Sequence, residues 1–463
     1  MATSTLKSST VKNNGIKYVN ALVNNPPTVI PFITQIGQSG VDRRDSINGI
    51  AYDSSGNLYA VGNYILGSGY PDAILSKFGP GGTLLTSKYL DTSGNYSDYF
   101  NDCIVDGAGN IYASGTRDPS AGGANDATIT KYNSSLAYQW QIYLNGGQGD
   151  TSRGMTFDNA ANPVMCGYSN DGSQYARAFL VSFNQDGATN WSVLYGQNGS
   201  YLTFQDSMYA MSSIFSVGTF SSGSTTYQFV GKHNSATGAK QKLWWYYVAT
   251  GRAQELVATV QAPGNYSTQV AVAGSYNSAT GQNQSHVMKI GYNDGAVSWS
   301  KTLYESTSIN SSFTDIAADS SGNIYAYGKT GSPTKLLIAK YNSSGTLQWQ
   351  RTISVSGGNI NSNKMTLHPI NGLYLTAELT VTGQSYPDYV VFNIPVDGSK
   401  TGTYTLNGVT YTYAVSSLTD TSISVNVSDI TSSYSPSTFG SNNPSTATTD
   451  ATVNLTQYIT QMV

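Results

Sequence analysis

Aspartates recur in this sequence at spacings that would gather them on one structural level. Asp45, Asp98 and Asp150 each stand eight residues before a second aspartate, Asp53, Asp106 or Asp158. Acids collected from three repeats around a central channel would bind a cation or polarise a sugar hydroxyl. The plainer reading is a set of local turn caps. Asp102, Asp206 and Asp315 share a neighbouring register and would extend such a ring, and Arg43, Arg44 and Arg153 stand close enough in sequence to neutralise part of it.

Other chemistry is sparse. The three histidines, His233, His286 and His368, have no metal-ligand spacing to one another or to a cysteine. No phosphate loop, nucleophile elbow or paired-histidine zinc motif is present. The Asp-x-x-Gly-Asn segments lack the spaced carboxylates of a calcium loop. The sequence therefore predicts no catalytic residues, no metal, no cofactor and no enzyme activity. A glycan-cleaving site would need paired acids, for which Asp45, Asp98 and Asp150 are the candidates. Cys103 and Cys166 sit in apolar runs and are expected as buried free thiols.

The elements that must position these residues are repeats. Asp53-Ser-Ser-Gly-Asn-Leu-Tyr-Ala-Val-Gly62, Asp106-Gly-Ala-Gly-Asn-Ile-Tyr-Ala-Ser-Gly115 and Asp319-Ser-Ser-Gly-Asn-Ile-Tyr-Ala-Tyr-Gly328 match closely. Worn copies end at Gly167, Gly218, Gly274 and Ala377. A second ladder places Trp140, Trp191, Trp245 (beside Trp244), Trp299 and Trp349 at one repeat position, each after a polar turn. A third pairs Lys with an apolar or aromatic residue, as in Lys77-Phe78, Lys131-Tyr132 and Lys340-Tyr341. Asp with a following Gly is hairpin chemistry, so each repeat reads as four short antiparallel strands. Seven units with a period of about fifty residues predict an all-β, seven-bladed β-propeller, with the tryptophans as a structural ladder.

The pattern Asp-x-x-Gly-Asn-(Ile/Leu)-Tyr-Ala-x-Gly, then Lys-(Tyr/Phe), then Gly-x-Leu-x-Trp resembles the bacterial and phage seven-bladed propeller repeat (SBBP-type) over residues 32–395. The resemblance implies the fold and a setting in bacterial surface proteins or phage structural proteins. It implies no shared catalytic residues.

The expected organisation is an N-terminal arm at 1–31, the propeller at 32–400, a C-terminal hairpin region at 401–429 and a Ser/Thr-rich tail at 430–463. Phe32-Ile-Thr-Gln-Ile-Gly37 is expected to complete the last blade beside residues 389–395. Thr403–Tyr413 competes for that place unless it lies outside the ring. The final stretch from Ala451 would add a strand to a partner's edge or fold back on its own ring. The same reading expects loss of residues 430–463 to leave the melt of the ring nearly unchanged.

Composition sets the surroundings. Charged residues make up 11% of the chain, against roughly 25% in an average domain. The net charge is −3 and no basic block exists, which argues against nucleic acid. No apolar run is long enough to span a bilayer as a helix, and the first residues carry no secretory leader pattern. The 35 tyrosines suit glycan or protein contact where they reach the surface. The expected role is a structural or assembly component of a phage virion, in the tail or on the capsid. It would meet other virion or surface proteins through its tails, with a host glycan as a further ligand. The alternative is an extracellular bacterial adhesin at the cell surface.

Overall fold

Short alternating runs punctuated by Gly- and Asn-bearing turns fold here as strands throughout. The computed structural model describes residues 31–37, 45–65, 70–91, 96–118, 124–144, 149–170, 175–196, 199–222, 225–248, 259–261, 269–278, 281–370, 372–431, 437, 449–452 and 456–462. The expected N-terminal arm, Arg43 and Arg44 lie outside the described residues.

Seven antiparallel sheets follow one another along the chain: residues 45–91, 98–144, 150–195, 200–248, 259–304, 311–356 and 358–394. They are called blades one to seven. The inner strand of each blade packs against that of the next, and Gly358–His368 of blade seven packs against Asp45–Tyr52 of blade one. The ring therefore closes at seven. Phe32–Gly37 supplies the outer strand of blade seven, pairing Phe32 with Asn393 and Ile36 with Tyr389. This is the closure expected from sequence. Seven apolar clusters fill the seven spaces between blades, so the core is a circle of interfaces rather than a single centre.

Two local devices repeat. In the first, the turn aspartate gathers the hairpin. Asp53 Oδ1 accepts the N–H groups of Ser55 and Asn57, both at 2.9 Å. Its Oδ2 accepts Asn57 Nδ2 at 2.8 Å and Tyr59 Oη at 3.1 Å. Gly56 holds φ at 80°, which a side chain would resist. Asp106 and Asp319 repeat the pattern.

In the second, a tryptophan of one blade clasps a turn of the next. Trp140, Trp191, Trp299 and Trp349 donate their indole N–H to the carbonyls of Gln185, Ser235, Ser343 and Val396. Each ring covers a turn glycine: Gly187, Gly238, Gly345 and Gly398. Blade four corrects the expected ladder. Lys242, not Trp245, holds the register opposite Lys232. Trp244, two residues further along, covers Gly295 and is fully buried. Trp245 instead stacks on Tyr227, with ring centroids 4.8 Å apart. At the closing seam Phe32 covers Gly82 in the same manner.

The C-terminal segment runs round the outside of the ring, against the direction of the blades. Gly402–Leu406 and Val409–Val415 form a hairpin whose second strand pairs with the outer strand of blade six. Thr419–Ser422 pairs with blade five and Val425–Asp429 with blade four. Ser437 bridges to Leu194 of blade three. Thr449–Thr452 pairs with blade one, and Thr456–Gln461 pairs with Phe32–Gly37 in blade seven. The last strand then lies beside the first strand of the hairpin. Thus the hairpin does lie outside the ring, and the end of the chain folds back on its own blades. Met462 is fully buried and its N–H donates to Pro31 O at 2.7 Å. A tail so engaged belongs to the seal of the ring, so its loss is now expected to lower the melt rather than leave it nearly unchanged.

Candidate functional site

Strand direction gives the propeller two unlike faces. Tight turns join first to second and third to fourth strands on one face. The other face carries the connections from second to third strand and from one blade to the next. All the sequence-predicted acids belong to the axis or to this second face.

The inner strands of blades one, two, three, four and six carry a bulge, between Ile47 and Gly49, Phe100 and Asp102, Ser152 and Gly154, Phe204 and Asp206, and Phe313 and Asp315. In blade seven the irregularity spans Ser362 to Met365 and admits Lys364. Bulged asparagines sew blade to blade: Asn48 Nδ2 donates to Phe100 O and Asn101 Nδ2 to Ser152 O, both at 2.9 Å. The aspartates do likewise. Asp102 Oδ2 accepts Met155 N–H of the next blade at 2.8 Å, and Asp315 Oδ2 accepts Met365 N–H at 2.7 Å.

The charges of Asp102, Asp206 and Asp315, from blades two, four and six, all act on the ammonium of Lys364 in blade seven. Burial opposes that positive charge, but Asp315, Asp206 and Asp102 together raise it well above the ordinary lysine range. Burial pushes the Asp102 carboxyl up to about 7 against the pull of Lys364. Three acids and one base thus lie together at the axis, where the single lysine offsets only part of the acids' charge. Sequence placed the three aspartates in one register. Lys364 stands in that same register, thirteen residues before Ala377 as Asp102 stands before Gly115 and Asp315 before Gly328, so its place was readable from spacing.

Asp45, Asp98 and Asp150 begin inner strands and are buried. Their neighbours lie in the preceding blade. Asp45 N–H donates to Pro387 O at 3.1 Å and Asp150 N–H to Asn125 O at 2.6 Å. Each acid thus stands beside the first residues of a third strand, where a further acid waits: Asp388 for Asp45 and Asp126 for Asp150. Asp98 meets Asp72 and Asp91, and one oxygen of each of the three lies within 4.8 Å of the others.

The clefts differ in charge. Neither oxygen of Asp45 receives a hydrogen bond. Burial, then Asp388, pushes its carboxyl up to about 8. Asp388 accepts Gln35 Nε2 at 2.9 Å. Burial, then Asp91 and Asp98, pushes Asp72 up to about 7. Asp126 is held by Arg117, with Nε at 3.1 Å and Nη2 at 3.0 Å. Among the described residues the 72/91/98 cleft is the one group of three acids arranged to hold a metal ion.

Tyrosines rim this face. Tyr70, Tyr201 and Tyr386 are each nearly half exposed. Tyr70 pairs with Tyr96 at 6.4 Å between ring centroids, and Tyr175 with Tyr201 at 5.6 Å. Sequence reasoning missed Asp72, Asp91 and Asp388. A spacing was available: Tyr70-Pro71-Asp72, Tyr96-Ser97-Asp98 and Tyr386-Pro387-Asp388 repeat tyrosine two residues before the cleft acid.

The histidines are structural. His286 lies between Gln228 and Ser300, and burial lowers it to about 4. His368 packs edge-on against Tyr52. Cys103 and Cys166 are buried free thiols, raised by burial. Arg153 lies over the Tyr168 ring at 5.6 Å, away from the role of neutralising an acid ring.

No known protein family matches the chain by sequence, and no curated protein does. Solved structures resemble it at low scores. A protein of unknown function from Dyadobacter fermentans is 9% identical, over 78% of this chain and 99% of the other, with TM-score 0.42. A PL25 polysaccharide lyase, an ulvan lyase, is 10% identical over 76% and 97%, with TM-score 0.44. The tail fibre of Staphylococcus aureus phage P68 is 9% identical over 70% and 95%, with TM-score 0.19. Likenesses this distant assign neither reaction nor partner. The fold rests on the chain's own strand pairing. Among the described residues no helix is long and apolar enough to cross a membrane.

Proposed function

We propose that the chain is a structural and recognition component of a virus particle, built on a rigid, non-catalytic ring. The observation that supports this reading is the C-terminal belt, which lays a strand of the chain itself on the outer edges of blades six, five, four, one and seven. Open strand edges invite pairing with other chains, and covering them is how proteins prevent it. A ring covered along most of its rim meets partners chiefly through its faces, as a stackable or platform-like part does. Low charge and a tyrosine-rimmed loop face favour neutral, hydrogen-bonding contacts with proteins or glycans.

Mass spectrometry and electron microscopy of purified particles from the source test it. The chain should appear at defined positions in fixed copy number, and its absence from particles ends the reading. The exposed tyrosines of the loop face favour a second reading, a cell-surface glycan-binding propeller. Glycan-array binding by the purified chain, together with its absence from particles, would select that one.

A further inference from the structure

We propose that the cleft between blades one and two is a binding site for a hard divalent cation of the calcium class, held by Asp72, Asp91 and Asp98. The site stands independently of whether the chain belongs to a particle.

Three observations carry it. The first is geometry. One oxygen from each carboxylate lies within 4.8 Å of the others. Oxygens sharing one calcium at about 2.3–2.6 Å lie at most about 4.6–5.2 Å apart, and calcium takes several carboxylates where magnesium keeps most of its waters.

The second is Asp72 itself. It keeps 9% of its surface exposed. The groups that act on its charge are Asp91 and Asp98, both repulsive. No described residue donates a hydrogen bond to its carboxylate. Buried charges are ordinarily paired or ligate metal.

The third is the protein's own solution one blade further on. Asp126 occupies in blade two the position of Asp72 in blade one. Its cross-strand partner is Arg117, whose guanidinium binds it at 3.0 Å. The cross-strand partner of Asp72 is Tyr64, which brings no charge, while Arg117 stands across from Asp98 but binds Asp126. The chain leading into the cleft, residues 65–72 and 91–98, contains no lysine or arginine. A cation from solution would supply what Arg117 supplies next door. Tyr70 and Tyr96 stand two residues before Asp72 and Asp98, so the open side is aromatic. The remaining coordination positions are left to water or to an incoming hydroxyl.

Terbium bound near tyrosine luminesces when the ring is excited, which makes Tb³⁺ the probe for the full chain. The wild type should give a saturable signal that Ca²⁺ displaces and Mg²⁺ displaces poorly. Asp72→Asn and Asp91→Asn should each weaken Tb³⁺ binding by at least about tenfold, as expected on loss of a charged ligand. Both variants should melt no lower than the metal-free wild type, because each removes a like charge; this controls for folding. Asp45→Asn should bind as the wild type does. Absence of a saturable, Ca²⁺-displaced signal overturns the proposal. So does a signal that survives in both cleft variants, or one lost in Asp45→Asn instead.

Discussion

Single residues in this ring are tuned by where the chain buries charge. Asp45 is the clearest case. Its folded-state carboxyl titrates at about 8, above an unfolded value near 3.9. Between those values the folded protein binds the extra proton, so this residue makes stability fall as pH rises from about 4 to 8. Asp45→Asn should therefore flatten the Tm–pH profile between about pH 4 and 8 and raise Tm most at pH 8 and above. A profile parallel to the wild type would show that the seam does not titrate there. Lys364 is the converse case. Lys364→Met strands three carboxylates at the axis. The cost should be about 2–4 kcal/mol, below the usual ~3–5 for a fully enclosed pair because the lumen reaches them. Adding Asp102→Asn should return part of that loss, a non-additivity that denaturant titration of both variants would measure. Sequence exposed the acids because aspartate recurs in register. Asp72 and Asp388 stayed hidden because they lie on other strands, whereas Lys364 shares the register of Asp102 and Asp315 and departs from them only in charge.

At the scale of elements, the blade was legible and its outer edge was not. The Asp-x-x-Gly-Asn turn dictates a hairpin through local hydrogen bonds, so three clean copies sufficed to fix the unit. The tryptophan ladder likewise announced an interface, and the indoles do bind the next blade. Blade four slipped because adjacent Trp244 and Trp245 point to opposite sides of a strand, and only register with Lys232 decides between them. The belt strands were opaque for another reason. Thr-Tyr-Thr-Leu and Ser-Val-Asn-Val alternate like any half-buried strand, and nothing local specifies which edge they join. The clasp itself can be tested at its glycine. A Cβ on Gly345, at φ 81°, would lie 2.6 Å from Trp299 Cδ2. Gly281, at φ 82°, faces open space. Gly281→Ala should cost about 1 kcal/mol for backbone alone. Gly345→Ala should cost about 2–4 kcal/mol, the excess measuring the clasp. Equal losses in chemical denaturation would show that the indole moves aside freely.

For the whole molecule, closure is made twice. Phe32–Gly37 completes blade seven from the N-terminal side, and Thr456–Gln461 covers that same strand from the C-terminal side. Truncation after residue 448 should lower Tm by several degrees and speed unfolding, seen by circular dichroism after a temperature jump. Met462→Ala alone should cost about 2–5 kcal/mol if its site stays empty. A truncated chain that melts like the parent would make the outer strands ornamental. The timing of synthesis gives this arrangement a further meaning. The residues that fasten the circumference leave the ribosome more than four hundred positions after the strand they cover. Until then the nascent polypeptide carries bare margins on blade after blade, so the greatest risk of clumping belongs to unfinished or prematurely stopped copies.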